Sequence, residues 1–203
     1  MKQTTSFHEK SAKPEGHETL KVVVAEIANV LMLPHEVKMR ANAISLESKA
    51  GGFGQRTPIH VLGAAMLYIA CREKKRPITL RELAEASGTD AREVGKCYLE
   101  ILENMHISRP SLNGKGYVYR IALKKPVSEQ VISLSQEIIN RMSSSCIGGR
   151  NPMTIAAASL YLACCSMGEN VTQAEVAEAA GVGEQSVRDC CKEVRNLMKP
   201  PPV

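Results

Sequence analysis

Along the chain, apolar residues recur three and four positions apart, and no stretch shows a convincing alternation of the kind a half-buried strand needs. Leu20, Val23, Ile27, Val30 and Leu31 mark an amphipathic helix over 18–33, which Pro34 interrupts, and a second helix follows over 35–50. Two later stretches are apolar on nearly every side. One opens at Thr57-Pro58 and ends near Cys71; the other opens at Asn151-Pro152 and ends near Cys165. Each places a capping residue before a proline at the first helical position. A helix without a polar face must be surrounded by others, so each is expected at the centre of a small bundle. Next come Thr79-x-x-Glu82 and Thr172-x-x-Glu175, two capping boxes that open short helices stopped by Gly88 and Gly181. Further helices are expected at 91–105 and 184–198. Between the halves, Tyr117–Leu123 reads as a short helix and Ser128–Met142 as a longer one.

These punctuation marks repeat. A shift of 93 residues lays Ala64-Ala65-Met66-Leu67-Tyr68-Ile69-Ala70-Cys71 on Ala157-Ala158-Ser159-Leu160-Tyr161-Leu162-Ala163-Cys164 without a gap. The segment from Thr79 to Gly88 falls on Thr172 to Gly181, and Val94, Cys97, Glu100 and Met105 fall on Val187, Cys190, Glu193 and Met198. From Ala64 to Met105 there are 16 identities in 42 positions, and shared alanine-rich composition would not keep Tyr, Cys, Thr and Gly in register. The chain is therefore a duplicated helical unit. Pro110, Gly114 and Gly116 mark the connection between the copies.

Composition narrows what the duplicate can do. Seven aromatic residues in 203 argue against a base-stacking platform for single strands and against a β-sandwich or barrel. Seven cysteines, an odd number, argue against a disulfide scaffold. The N-terminus has no apolar leader, and the 18-residue uncharged run from Asn151 to Gly168 has a repeat mate, so it reads as a buried helix and no membrane is expected. A net charge of +5 mildly favours a polyanionic partner.

Candidate chemistry sits in the second copy. Ala177, Gly181 four residues on and Val187 six residues after that fit a helix-turn-helix: a small residue where two helices touch, a tight turn, and a buried anchor. Gln185, Ser186, Arg188 and Asp189 then face outward near the start of the second helix, where such motifs meet base edges or phosphates in a major groove. A helical hairpin that only packs would show the same pattern. Arg56 and Arg150 precede the central helices, in place to hold phosphates beside a helix N-terminus or simply to sit at the surface. Lys74-Lys75-Arg76 reads as a solvated turn, and Gly51-Gly52-Phe53-Gly54 as a flexible connection rather than a phosphate loop. No Cys-x-x-Cys pair exists, so no metal site and no cofactor are expected. Of the histidines only His60 and His106 lie near the expected core, with no acidic orienter, which makes a Cys–His couple a weak reading.

The two repeats of roughly 90 residues, the block Leu67-Tyr68-Ile69-Ala70-Cys71-Arg72, Arg150-Asn151-Pro152 opening the second central helix, and Gly181-Val182 leading into Ser186-Val187-Arg188 resemble the core domain of the transcription factor IIB (TFIIB) family over about residues 18–198. The resemblance implies an all-α fold of two tandem cyclin-like five-helix repeats, the second with a shortened first helix. The repeats would cover 18–107 and 121–199, with a linker at 108–120, a disordered tail at 1–17 and a short tail at 200–203. It implies a monomeric, non-enzymatic, nuclear transcription initiation factor that binds the TATA-binding protein on promoter DNA, with the RNA polymerase II machinery beyond. Carried over by residue, Arg188 matches the family's base-contacting arginine and Ser186 its threonine, while Gln185 stands where the family has a valine. Arg56 falls within about one residue of a downstream DNA-contacting arginine. Arg92 and Lys96 match basic positions used toward the TATA-binding protein, although Leu99 and Glu103 replace basic residues on that helix. The family's zinc ribbon and polymerase-entering segment are missing from this chain. A cyclin-like protein-binding module without DNA binding is the rival reading, since one fold serves both uses.

Overall fold

In a computed structural model, residues 15–49, 57–108, 114–142 and 150–198 are described. All regular structure among them is helical: α1 Glu15–Val30, α2 His35–Lys49, α3 Ile59–Glu73, α4 Leu80–Ser87, α5 Ala91–Asn104, α6 Gly114–Ala122, α7 Glu129–Arg141, α8 Pro152–Met167, α9 Gln173–Ala180 and α10 Glu184–Met198. The expected all-α pair of five-helix repeats is present, and the leading helix of the second, α6, has 9 residues against 16 in α1. α6 opens at Gly114, inside the stretch expected as linker, and α1 opens at Glu15, inside the stretch expected as tail.

Helix starts follow local chemistry. Asn151 caps α8, its side chain accepting from the Met153 N–H at 2.9 Å, with Pro152 at the first helical position. α3 differs by one residue from expectation. The Leu62 N–H donates to the Pro58 carbonyl at 3.0 Å, so Pro58 flanks the helix and Thr57 lies outside it. A proline suits either place because it brings no N–H to satisfy. Both capping boxes form. The Glu82 N–H donates to Thr79 Oγ1 at 3.2 Å while the Thr79 N–H donates to Glu82 Oε2 at 2.8 Å, and Thr172 and Glu175 repeat this at 3.2 and 2.8 Å.

Helix ends share one device. In six of them an N–H donates back to the carbonyl five residues earlier: Leu33 to Ala28, Arg76 to Cys71, Thr89 to Ala84, Ile107 to Leu102, Glu169 to Cys164 and Val182 to Ala177. The residue before each donor is left-handed, as this closure requires. Three of those are the glycines Gly88, Gly168 and Gly181; the other three are Met32, Lys75 and His106, with φ of 49°, 55° and 52°. Met32 is why α1 stops at Val30, short of the proline that was expected to end it.

The chain forms two compact units, and their limits are not those of the sequence repeats. One unit holds the described residues up to Leu67 together with Leu83–Ile107. Its core draws on Val23, Val24 and Ile27 of α1, Val37, Ala41 and Ile44 of α2, and Val94, Cys97 and Ile101 of α5. Gly63 of α3 lets α1 approach closely: a Cβ there would stand 3.1 Å from Val23 Cγ1.

The other unit holds Tyr68–Glu82 and the residues from Ser108 onward. Its centre is α8, packed against α6, α7, α9 and α10, which explains a helix with no charged residue and twelve buried ones. α6 also grips the segment before α4. The Tyr117 hydroxyl donates to the Ile78 carbonyl at 2.6 Å, and Arg120 reaches the Pro77 carbonyl and both oxygens of Glu82. Lys125, just past α6, pairs with Glu175 at 2.7 Å. The two capping-box carboxylates are thus held by two cations five residues apart.

Candidate nucleic-acid interface

α9 and α10 form the expected helix-turn-helix. α9 buries Val176, Ala177, Ala179 and Ala180; α10 buries Val187, Cys190, Cys191 and Val194. Those four positions on α10 are spaced three, one and three apart, a single apolar stripe, and Gly181 turns between the helices at φ 64°. Packing of the stripe turns Gln185, Ser186 and Arg188 outward, and all three are exposed. Asp189 lies half-buried beside them.

The exposed face is a network rather than a row of independent side chains. Arg188 Nη2 meets Glu184 Oε1 at 2.5 Å, Arg188 Nη1 donates to Gln185 Oε1 at 3.4 Å, and Arg188 Nε donates to Gln173 Oε1 at 3.5 Å. Gln185 Nε2 donates to Asp189 Oδ1 and Oδ2 at 3.0 and 3.1 Å. One turn on, Lys192 stands 3.8 Å from Asp189. Glu184 and Gln173 had no part in the sequence reading, although the Glu184–Arg188 and Gln185–Asp189 spacings of four are a recognisable helix-surface signal.

The other candidates are more dispersed. Arg150 precedes α8 and forms an ion pair with Glu193 of α10. Arg92 and Lys96 lie exposed on α5, with Lys96 3.8 Å from Glu100 and Leu99 and Glu103 exposed on the same helix. Arg56 lies outside the described residues. The start of α5 is capped by Asp90, whose carboxylate accepts from the Arg92 and Glu93 N–H groups at 2.8 and 3.3 Å. Its repeat mate before α10 is Gly183, which brings no side chain to that helix end.

The cysteines follow the duplicated core. Cys71, Cys97, Cys164, Cys190 and Cys191 are buried and free, Cys165 is exposed, and Cys146 lies outside the described residues. Burial pushes the Cys71, Cys97 and Cys191 thiols up to about 12, so they stay protonated and act as small apolar side chains. His60 and His106, expected near the core, are both exposed; His60 lies in the first turn of α3 and His106 is the left-handed residue after α5. Among the described residues no three His, Cys, Asp or Glu side chains group as metal ligands, and no helix is long and apolar enough to cross a membrane.

Comparison with known proteins adds what this geometry lacks. The family model of the Transcription factor TFIIB repeat matches residues 18–104 and 107–197. The chain is similar to Transcription initiation factor IIB of Saccharolobus shibatae, 36% identical over 174 residues that cover 85% of this chain and 57% of that protein. It is similar to Transcription initiation factor IIB 1 of Saccharolobus solfataricus, with 36% identity covering 85% of this chain and 56% of that one. With Transcription initiation factor IIB of Methanococcus maripaludis the identity is 38%, covering 83% of this chain and 50% of that one. The chain thus spans about half the length of the curated relatives it matches. Among solved structures it resembles, loosely, a viral cyclin from herpesvirus saimiri, with a TM-score of 0.44 and 14% identity over 92% of this chain and 87% of that one.

Proposed function

Since this chain belongs to the TFIIB family, its two repeats matching the family's over residues 18–104 and 107–197, we propose that it is a transcription initiation factor of the TFIIB type that binds the TATA-binding protein on promoter DNA and helps assemble the preinitiation complex. The match across both repeats carries this reading. In it, α10 lies in the major groove beside the TATA element and presents Gln185, Ser186 and Arg188, while Arg56 and Arg150 meet phosphates. Arg92 and Lys96 of α5 face the TATA-binding protein. The protein works as a monomer at chromosomal DNA, in the nucleus by the family resemblance, without cofactor or enzymatic activity, and leads on to the RNA polymerase machinery.

The experiment is a gel shift on a TATA-box duplex with purified protein, with and without the TATA-binding protein. A ternary band that forms only, or far better, with the TATA-binding protein supports the reading, and its absence at low salt overturns it. One observation favours the rival, a protein-binding module that leaves DNA alone. Glu184, Asp189 and Glu193 neutralise much of the positive charge around α10. Under that reading the gel shift fails while a pulldown returns a protein partner.

A further inference from the structure

The outer face of α10 carries more information than the identity of its side chains. Gln185 sits at the centre of the network with its two amide ends distinguished: Nε2 points at the Asp189 carboxylate, 3.0 Å away, and Oε1 at the Arg188 guanidinium, 3.4 Å away. A primary amide has two N–H donors on nitrogen and two lone pairs on oxygen. One donor is shared between the two Asp189 oxygens and one lone pair faces Arg188, so a donor and an acceptor of this exposed amide remain unengaged. That pair complements N7 and the N6 amino group of adenine in a major groove.

Arg188 is placed differently. Guanine is read by two adjacent N–H groups of one guanidinium. Here Nε faces Gln173, Nη1 faces Gln185 and Nη2 is paired with Glu184 at 2.5 Å, so three of its five N–H groups are directed at neighbouring side chains and its charge is met by Glu184. Its Nη1 bond to Oε1 helps to orient the amide.

We propose that Gln185 is the base-reading residue of α10, that it reads adenine, and that Arg188 and Asp189 are positioning residues that hold its amide in the reading orientation. The inference rests on the placement of α9–α10 against DNA. It reverses the role that the family resemblance gave Arg188 and assigns one to the residue that departs from the family.

The test is selection from a TATA-box duplex whose flanks are randomised, bound by the intact chain together with the TATA-binding protein and then sequenced. The expected result is enrichment of an A·T pair at one flanking position by about fivefold to a hundredfold. Gln185→Ala abolishes that enrichment in the ternary complex recovered. Asp189→Asn, which keeps an acceptor for Nε2, retains it, and Asp189→Ala and Arg188→Ala each reduce it without creating a guanine preference. Gln185 and Arg188 are exposed and Asp189 is half-buried, and circular dichroism verifies the fold of each variant. A guanine preference that vanishes in Arg188→Ala, or a ternary complex with no base preference at all, overturns the inference and leaves the proposed function standing. Absence of any ternary complex with the unaltered protein overturns both.

Discussion

Gly114 opens α6 where there is no room for a side chain. A Cβ at this position would lie 2.6 Å from Ile139 Cγ2 and 2.8 Å from its Cδ1. Isoleucine is stiff about its first side-chain bond and cannot simply swing away. Gly114→Ala is therefore expected to destabilise the fold by about 1–3 kcal/mol despite the stiffer unfolded chain, read as a lower urea midpoint with an unchanged slope. Ile139→Ala in that background should cost less than it does alone, since the clash goes with the side chain. Met32 presents the opposite case. It is 91% exposed and left-handed, so its side chain gains little from the fold while its backbone bears a strain that glycine avoids. Met32→Gly should stabilise the protein by roughly 0.5–1 kcal/mol, and a melting temperature that falls or stays fixed contradicts the strain argument.

At the scale of elements, the two capping boxes carry a pH dependence. The Lys125 ammonium, aided by the Thr172 N–H and hydroxyl, holds the Glu175 carboxyl down at about 2, against an ordinary 4.5. Burial pushes the Glu82 carboxyl up, but Arg120 and Thr79 outweigh it and keep it below the usual range. A carboxyl lowered on folding adds stability that is present above its unfolded value and is lost as pH falls through the folded one. Stability should thus decline from about pH 4.5 toward pH 2. Glu175→Gln keeps an amide able to close the box and removes the titrating charge, so its denaturation midpoint should fall less steeply across that range; identical slopes would exclude the pairing as a source. The elements also show what the chain made legible. The boxes, Gly88, Gly181 and the Asn151-Pro152 start were readable because each is a local code. The ends at Met32, Lys75 and His106 were not, because nothing in a methionine, lysine or histidine announces a left-handed backbone. Lys75 had one clue, since its repeat mate is Gly168. In the candidate interface the register of Gln185 and Arg188 followed from the spacing of Ala177, Gly181 and Val187, whereas their mutual ties depended on side-chain positions and were missed.

For the whole molecule, a net charge of +5 overstates the attraction to a polyanion, because cations near α10 already have carboxylate neighbours: Arg188 with Glu184, Lys192 with Asp189, Arg150 with Glu193. Phosphate contacts release counterions and make affinity fall with salt, about one unit of log–log slope per phosphate. Glu193→Gln frees Arg150 for a phosphate, so the ternary complex should tighten at low salt and its salt slope steepen by about one. An unchanged slope would place Arg150 away from DNA.

The hold of α6 on Pro77–Glu82 has a consequence for dividing the protein. A cut at residue 107 looks natural, because the sequence repeats there. Yet a fragment ending at Ile107 keeps the Ile78 carbonyl and Glu82 while discarding Tyr117 and Arg120, the groups that bind them. Ile78 is only 8% exposed, so its carbonyl would lose its donor in a poorly hydrated place. Neither half alone carries both sides of these bonds, so a cut at the repeat boundary leaves polar groups without their partners.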